Sequence, residues 1–373
     1  MLSTSVKEAA ALQGISRRDF LKFCALMTGV LALPRKYSSV IEQALSEPKR
    51  LPIVWVEFQD CAGNSEALLR ASRPTVSELV LDVLSVDYHE TIMAAAGNLA
   101  EDLKDLAVEA GGYLLVVEGS IPLAEDGVYC AIGGRTAVDI LQHVASNAVA
   151  IVAAGACSSF GGLPAASPNP TNAKGVMDLI TDKPVLNLPG CPLNPVNLTA
   201  TIVHFLTFGE LPAMDDLHRP LFAYGARIHD NCPRRGHFDA GEFVAAWGDE
   251  GHKKGWCLYK MGCKGPVTFH NCPAVQYNDG TSWPIKAGHG CIACSEPNFW
   301  DLGLYNQADL QRYAPAATYA PVQLPEQHLD PATTALIGAA AGVAVGAAGT
   351  AAYQALSKSD EEKKQSSDKN AKK

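Results

Sequence analysis

The side chains with the most evident chemistry in this sequence are its eleven cysteines. Three of them follow apolar segments typical of β-strands: Cys61 in DCAGN, Cys157 in GACSSFGG and Cys191 in LPGCPLNP. Because the carboxyl ends of parallel strands meet at one edge of a sheet, we expect these three thiols to converge. The flanking glycines allow backbone N–H groups to approach the sulfur atoms closely.

A second group of candidate ligands lies further along the chain. It combines His229 and Cys232, in HDNC, with Cys257 and Cys263, in CLYKMGC. One imidazole and three thiolates together can complete the ligand shell of a four-iron cluster. The same donor set could also hold a structural zinc ion, which takes four nitrogen and sulfur ligands.

A third group contains thiols alone. Cys272 stands in NCPAV, and Cys291 and Cys294 form the pair in CIAC. Three thiolates suit a three-iron cluster, in which one corner of the cube is missing, better than they suit zinc. The remaining thiol of the body, Cys130 in GVYCAIGG, has no partner pattern and is predicted to be a buried small apolar side chain.

Disulfides are the third way to use these cysteines. Setting aside Cys24, which lies in the N-terminal segment, ten remain, and five disulfides are typical of a small exported domain. This chain of 373 residues is not small, since 47% of it is hydrophobic and it can build its own core. The spacing therefore favours iron–sulfur clusters, with structural zinc and disulfides as alternatives.

The elements that must position these ligands alternate between strand and helix. Near-continuous apolar runs indicate strands that are buried on both faces. They span 52–58, 113–119, 150–155 and 184–190. Segments with helical periodicity lie between them, so residues 51–221 are predicted to form an α/β domain with a doubly wound parallel sheet.

The second half of the chain is built differently. Residues 222–305 are dense in Cys, Gly, Pro, Trp and His and have little period, so bound clusters are the expected source of their stability. Residues 306–333, rich in Pro and Ala, are predicted to be a linker.

Both ends of the chain carry targeting signals. Arg17 and Arg18 precede an apolar run that is too short to span a bilayer, which indicates a twin-arginine export signal within a signal and pro-region at 1–50. Residues 334–356 are uncharged and long enough to cross a membrane, and the lysine-rich tail 357–373 favours a cytoplasmic end. The body would then face the periplasm.

The overall charge excludes one class of partner. The formal net charge is -9, and no basic block occurs in the body of the chain. Nucleic-acid binding therefore has no electrostatic support.

In this order, the cysteine groups and their surroundings resemble the small subunit of the membrane-bound periplasmic [NiFe] hydrogenases, of the uptake type. The resemblance runs from residue 16 to about residue 300 and includes the C-terminal anchor helix. The stretches that carry it are RPTVSELVLDVLSVDYHETIMAA, VVEGSIP, PGCPLNP, RIHDNC, RRGHFDAG, GWCLYKMGCKGP and GHGCIAC.

The resemblance implies a flavodoxin-like domain followed by an iron–sulfur domain, with three clusters in a row. The proximal four-iron cluster would be on Cys61, Cys157 and Cys191, the medial three-iron cluster on Cys272, Cys291 and Cys294, and the distal four-iron cluster on His229, Cys232, Cys257 and Cys263. Hydrogen would be split at a nickel–iron site in a separate large subunit. Electrons would then leave through this chain to a membrane partner, namely a cytochrome b, a ferredoxin-like subunit or a quinone-reactive protein.

Two rival functions belong to related classes. A hydrogen-sensing small subunit is disfavoured because a cytoplasmic sensor would need neither the export signal nor the anchor. A quinone-reductase subunit related to respiratory complex I resembles only the proximal motif and lacks the second, cysteine-dense domain.

The proximal motif departs from the family pattern at Asn64. The family has C-x-G-C where this chain has C-A-G-N. An amide oxygen is a poorer iron ligand than a thiolate, so Asn64 could bind through its oxygen, another oxygen or water could cap the iron, or the iron could be lost. We expect a four-iron cluster with a non-thiolate fourth ligand.

Three further positions follow from the same comparison. Gly63 and Gly162 stand where oxygen-tolerant relatives carry extra cysteines, which predicts no six-cysteine proximal cluster and ordinary oxygen sensitivity. Glu66 is similar to a glutamate beside the inter-subunit contact. It is equally well explained as an acid in the first turn of a helix.

Overall fold

The computed structural model describes residues 17–46, 50–71, 84–277 and 280–308, all within one compact unit. The strands are β1 (Leu51–Glu57), β2 (Leu84–His89), β3 (Leu114–Glu118), β4 (Ile121–Pro122), β5 (Ala131–Ile132), β6 (Arg135–Thr136), β7 (Ala150–Ala154), β8 (Ala173–Lys174) and β9 (Val185–Leu188). Five of them form a central parallel sheet with the strand order β2-β1-β3-β7-β9. Numbered among the sheet strands alone, this is the order 2-1-3-4-5 of flavodoxin.

Helices cover both faces of the sheet. The α-helices are α1 (Arg17–Val30), α2 (Tyr37–Ser46), α3 (Gly63–Leu69), α4 (Asn98–Ala110), α5 (Ala137–Ala145), α6 (Gly155–Phe160), α7 (Pro195–Phe208), α8 (Leu221–Tyr224), α9 (Arg235–Asp239), α10 (Glu250–Lys253) and α11 (Cys272–Val275). Short 3-10 helices span Ala124–Gly127, Leu163–Ala165, Val176–Asp178, Ile228–Asn231, Tyr259–Met261, Gly265–Val267 and Phe299–Asp301.

The strands alternate their side chains between two apolar cores. Ile53 and Trp55 of β1 point into a core that contains buried residues of α1, α2 and α7. Val54 and Val56 point to the other face, where α4 and α5 pack. Strands buried on both faces are apolar at nearly every position, which is why their sequences are continuous apolar runs.

The predicted parallel sheet is confirmed, and its four predicted strands correspond to β1, β3, β7 and β9. The edge strand β2 was not predicted. Its sequence, LSVDYH, is only partly buried and has no apolar run, so the pattern that indicates a central strand is missing. It pairs in parallel with β1.

The N-terminal segment is packed against the body. Cys24 and Met27 of α1 are fully buried, and so is Ile41 of α2. They belong to the same core as residues of α7, and the rings of Tyr37 and Phe208 meet edge-on at 5.9 Å. In the full-length chain, the apolar part of the predicted export signal is therefore a component of the first core.

Beyond α8 the chain has little regular structure, as predicted. Its core combines apolar side chains with candidate ligands: Ile228, Val244, Leu258, Cys263, Cys272, Trp283, Ile285 and Cys291. No helix in the described part of the chain is long and apolar enough to span a bilayer. The predicted membrane helix at 334–356 and the tail at 357–373 lie outside the described residues, as does most of the linker.

Candidate iron–sulfur centres

We call the three sets of candidate ligands the proximal, medial and distal groups, after the clusters that the resemblance implies. The three thiols of the proximal group follow three parallel strands. Cys61 comes four residues after β1, Cys157 lies in the first turn of α6 directly after β7, and Cys191 comes three residues after β9. Burial raises the pKa of Cys157 to about 12, and the nearby thiolates of Cys191 and Cys61 contribute to this increase. Cys61 and Cys191 are exposed, so this group opens at the surface.

Asn64 occupies the fourth position of this motif and is buried. Its Oδ1 accepts a hydrogen bond from Leu193 N at 2.8 Å, and its Nδ2 donates to Glu118 Oε1 at 3.1 Å. Gly155 makes room for it, since a Cβ there would lie 2.5 Å from Asn64 Oδ1. The amide therefore joins the segments that follow β1 and β9 to the end of β3.

Glu118, at the end of β3, is a buried anchor for the proximal loop. Its carboxylate accepts hydrogen bonds from Asn64 N at 2.8 Å, Ser65 N at 3.0 Å and Trp55 Nε1 at 3.2 Å. Burial raises the pKa of Glu118, whereas the bonds from Ser65 and Asn64 lower it. The carboxylate thus fixes the first turn of α3, next to Cys61.

The medial group lines a cavity of about 350 Å³. Cys272, Cys291 and Cys294 all contribute to its wall. Burial raises the pKa of each of these thiols, and the neighbouring thiolates raise it further. The structure therefore brings together the three thiols that were predicted to act as one set.

The distal group also converges. His229, Cys232, Cys257 and Cys263 line one small pocket. His229 lies in the 3-10 helix Ile228–Asn231 and meets Phe238 edge-on at 4.5 Å. Burial lowers the pKa of His229 to about 4, which keeps the imidazole in the neutral form that binds metals.

The three groups form a continuous series. Cys191 of the proximal group lines the medial cavity. Cys291 of the medial group donates its backbone N–H to Cys263 Sγ of the distal group at 3.2 Å. Gly290 permits this approach, since a Cβ there would lie 2.8 Å from Cys263 Cα.

The donor sets fit iron–sulfur clusters. All eleven cysteines are free thiols. Burial and mutual repulsion both disfavour the thiolate forms of these side chains. A bound cationic centre offsets both effects and stabilises the thiolates. Among the described residues no group of three or more His, Cys, Asp or Glu side chains is arranged to hold a single metal ion. Free thiols grouped in this way are available as ligands of iron–sulfur clusters.

Two residues of the site were not predicted from the sequence. His270 is buried with Nδ1 2.9 Å from Cys272 Sγ, and its Nε2 has no hydrogen-bond partner within the described structure. Burial lowers the pKa of His270 to about 3. Lys264 is buried directly after Cys263. Both lie close in sequence to a candidate ligand, since His270 comes two residues before Cys272 and Lys264 directly follows Cys263.

The structure also describes three other positions that the sequence singled out, Glu66, Gly162 and Cys130. Glu66 is exposed in the first turn of α3 and pairs with Arg70 at 2.6 Å, which is compatible with both of its proposed roles. A Cβ at Gly162 would lie 2.4 Å from Cys157 Sγ, so a side chain there requires the backbone to shift. Cys130, which was predicted to be buried, is only half-buried, because it packs at the margin of the second core.

Two family models match successive parts of the chain. Residues 224–305 match a family model that describes the C-terminal part of the NiFe/NiFeSe hydrogenase small subunit. A model described as NADH ubiquinone oxidoreductase, 20 Kd subunit, matches residues 61–205. The second match begins at the proximal motif and covers most of the sheet domain, so the likeness to such a subunit extends beyond the proximal motif to which it was expected to be confined.

Individual relatives extend this result over most of the chain. The quinone-reactive Ni/Fe-hydrogenase small chain of Wolinella succinogenes is 51% identical over 78% of this chain and 82% of its own length. The Hydrogenase-2 small chain of Escherichia coli K12 is 43% identical over 89% of this chain and 91% of its own. A reduced, active Ni-Fe-Se hydrogenase from Desulfomicrobium baculatum has a TM-score of 0.66 and 35% identity, and the alignment covers 70% of this chain and 100% of that one. This chain therefore belongs to the small subunits of the [NiFe] hydrogenases, the electron-transfer subunits whose catalytic site lies in the large subunit.

Proposed function

We propose that this chain conducts electrons from hydrogen oxidation through three iron–sulfur clusters held by the proximal, medial and distal groups. Clusters bound there would accept and release single electrons. The observation that carries the proposal is the unbroken series of ligand groups. Cys191 links the first group to the second, and the Cys291–Cys263 hydrogen bond links the second to the third.

The ligand assignment follows the three groups. Cys61, Cys157 and Cys191 would hold a proximal [4Fe-4S] cluster, Cys272, Cys291 and Cys294 a medial [3Fe-4S] cluster, and His229, Cys232, Cys257 and Cys263 a distal [4Fe-4S] cluster. Backbone N–H groups support this assignment because they point at ligand sulfurs. Arg234 N lies 3.4 Å from Cys232 Sγ, and Ala293 N lies 3.4 Å from Cys291 Sγ. Such bonds stabilise thiolate ligands and adjust the cluster potential.

The proximal cluster would keep four irons with a fourth ligand that is not a thiolate. The amide of Asn64 already bonds to Leu193 and Glu118. Of the three outcomes considered for this position, the geometry favours a cap from another oxygen or from water. Asn64 then acts as a structural bridge behind the cluster.

The enzyme would have ordinary sensitivity to oxygen. Positions 63 and 162 carry glycine, so the proximal group lacks the two additional thiols of a six-cysteine cluster. The tight contact between position 162 and Cys157 supports this, because a side chain there would displace a ligand. Sustained hydrogen oxidation in air would contradict the proposal.

The natural setting would be the periplasmic side of the cell membrane. The twin-arginine motif would direct export, residues 334–356 would anchor the chain, and the large subunit would cover the exposed proximal group. A membrane partner would take the electrons near the distal group. The relative from Wolinella succinogenes is named quinone-reactive, which supports a quinone-linked acceptor.

Anaerobic purification of the full chain with its partners tests this function. We expect co-purification of a large subunit, iron and sulfide matching three clusters, and reduction of all three by hydrogen. Cys294→Ser should remove the medial signal, whereas Cys130→Ser, which alters a thiol outside the groups, should leave all signals intact.

Other metal contents would contradict the assignment. Zinc in place of iron would support a structural site, and colourless protein with paired cysteines would support disulfides. A three-iron signal from the proximal centre of the intact, reduced complex would contradict the four-iron assignment there.

A further inference from the structure

Lys264 has a buried ammonium group and directly follows Cys263, a candidate ligand of the distal group. Its side chain is 3% exposed. Its Nζ donates to the carbonyl oxygens of Gly262 at 2.8 Å and Gly303 at 2.9 Å, and to that of Asn306. An ammonium has three donors, so these carbonyls use all of them and hold the group in place.

In the part of the chain that the structure describes, carbonyl oxygens rather than a carboxylate hold the charge of Lys264. Within the described part of the chain, no Asp or Glu oxygen lies at ion-pair distance from Nζ. Carbonyl dipoles satisfy its hydrogen bonds but carry no net charge, and an uncompensated buried ammonium is costly. Burial lowers the pKa of Lys264, whereas the thiolates of Cys263 and Cys291, one from each neighbouring set, raise it.

The backbone places Lys264 where these two sets meet. It directly follows Cys263, and its own N–H donates to the carbonyl oxygen of Cys291 at 2.7 Å. The N–H of Cys291 donates in turn to Cys263 Sγ at 3.2 Å. The residue that carries this cation is therefore bonded through its backbone to a ligand of the medial group and directly follows a ligand of the distal group.

We propose that Lys264 is a fixed positive charge shared by the medial and distal clusters, and that it raises the reduction potential of both. The inference rests on the proposed function, because it requires clusters on these thiolates. Reduction adds negative charge, so a nearby buried cation favours the reduced form. At an effective dielectric constant of about 20, a unit charge about 10 Å away changes such an equilibrium constant roughly tenfold.

The test is a redox titration of the purified complex, followed by electron paramagnetic resonance. In Lys264→Met we expect the equilibrium constant for reduction of each of the two clusters to fall about tenfold. For one electron this corresponds to a decrease of about 59 mV in each midpoint potential. Lys264→Arg keeps the charge and should retain midpoints close to those of the wild type. Lys260→Met is the matched control, because Lys260 lies in the same segment but is exposed to solvent, where its charge is screened.

Unchanged midpoints in Lys264→Met, or an equal shift in Lys260→Met, would overturn the proposal. Iron is measured in every variant. If Lys264→Met loses the two clusters and Lys264→Arg keeps them, the charge serves cluster binding rather than the potential, and the proposal fails. If both variants lose them, shape rather than charge is decisive and the proposal fails. Absence of iron from the wild-type complex would instead contradict the proposed function.

Discussion

Replacing Asn64 by cysteine should restore the fourth thiolate of the family motif and lower the potential of the proximal cluster. A thiolate adds one negative charge where the amide has none. At about 5 Å and an effective dielectric constant of about 20, that charge is worth roughly 3 kcal/mol. For a one-electron centre this corresponds to a decrease of roughly 140 mV.

The substitution also has a structural cost that can be read from the contacts. Leu193 N–H loses its acceptor at 2.8 Å, and Glu118 loses the donor at 3.1 Å. A buried donor left without a partner costs about 1–3 kcal/mol. We therefore expect Asn64→Cys to lower the unfolding temperature slightly while retaining the cluster.

Redox titration of the intact complex, followed by electron paramagnetic resonance, measures this shift. Asn64→Ala is the control, since it removes the same hydrogen bonds but supplies no thiolate. If Asn64 is not an iron ligand, the alanine variant should keep the wild-type proximal potential. A wild-type potential in Asn64→Cys, or the same shift in both variants, would refute the reasoning.

Three further predictions concern the stability of the fold. Arg219, whose side chain is 5% exposed, bonds to Asp215 at 2.8 Å and Glu296 at 3.0 Å, so Arg219→Met should cost about 3–5 kcal/mol in chemical denaturation. Burial lowers the pKa of His89 to about 4. In the unfolded chain His89 has the ordinary pKa of 6.5, so the unfolded chain binds more protons than the folded chain between pH 4 and pH 6.5. The free energy of unfolding should therefore fall by up to roughly 3 kcal/mol as the pH falls from about 6.5 to about 4. Met27→Ala in the full-length chain should cost about 2–5 kcal/mol, because Met27 is fully buried in the first core.

Each of these predictions has a matched control. Arg70→Met breaks an exposed pair and should cost less than about 1 kcal/mol; an equal loss in both arginine variants would contradict the first prediction. His89→Phe preserves the ring stacking on Trp55 and should abolish the part of the stability loss at acidic pH that is attributed to His89. Leu26→Ala alters a neighbouring residue that is 44% exposed. If it destabilises the chain as much as Met27→Ala does, helix α1 is not packed on the body.

Much of the architecture was predictable because it depends on local patterns. The central strands are buried on both faces and therefore appear as apolar runs, so β1, β3, β7 and β9 could be recognised without the structure. The edge strand β2 could not, because its partly polar sequence lacks that signal. The convergence of Cys61, Cys157 and Cys191 followed from the rule that parallel strands share a carboxyl edge.

The sequence by itself determined the candidate ligand types, their grouping and the resemblance to the family, since these depend on residue identity and on spacing along the chain. Only the tertiary structure decided that Asn64 bridges to Glu118 and Leu193, which are 54 and 129 residues away. It also decided that Lys264 is buried and that helix α1 enters the first core. The physical reason is that burial and long-range hydrogen bonds depend on which segments pack together, and no short stretch of sequence contains that information.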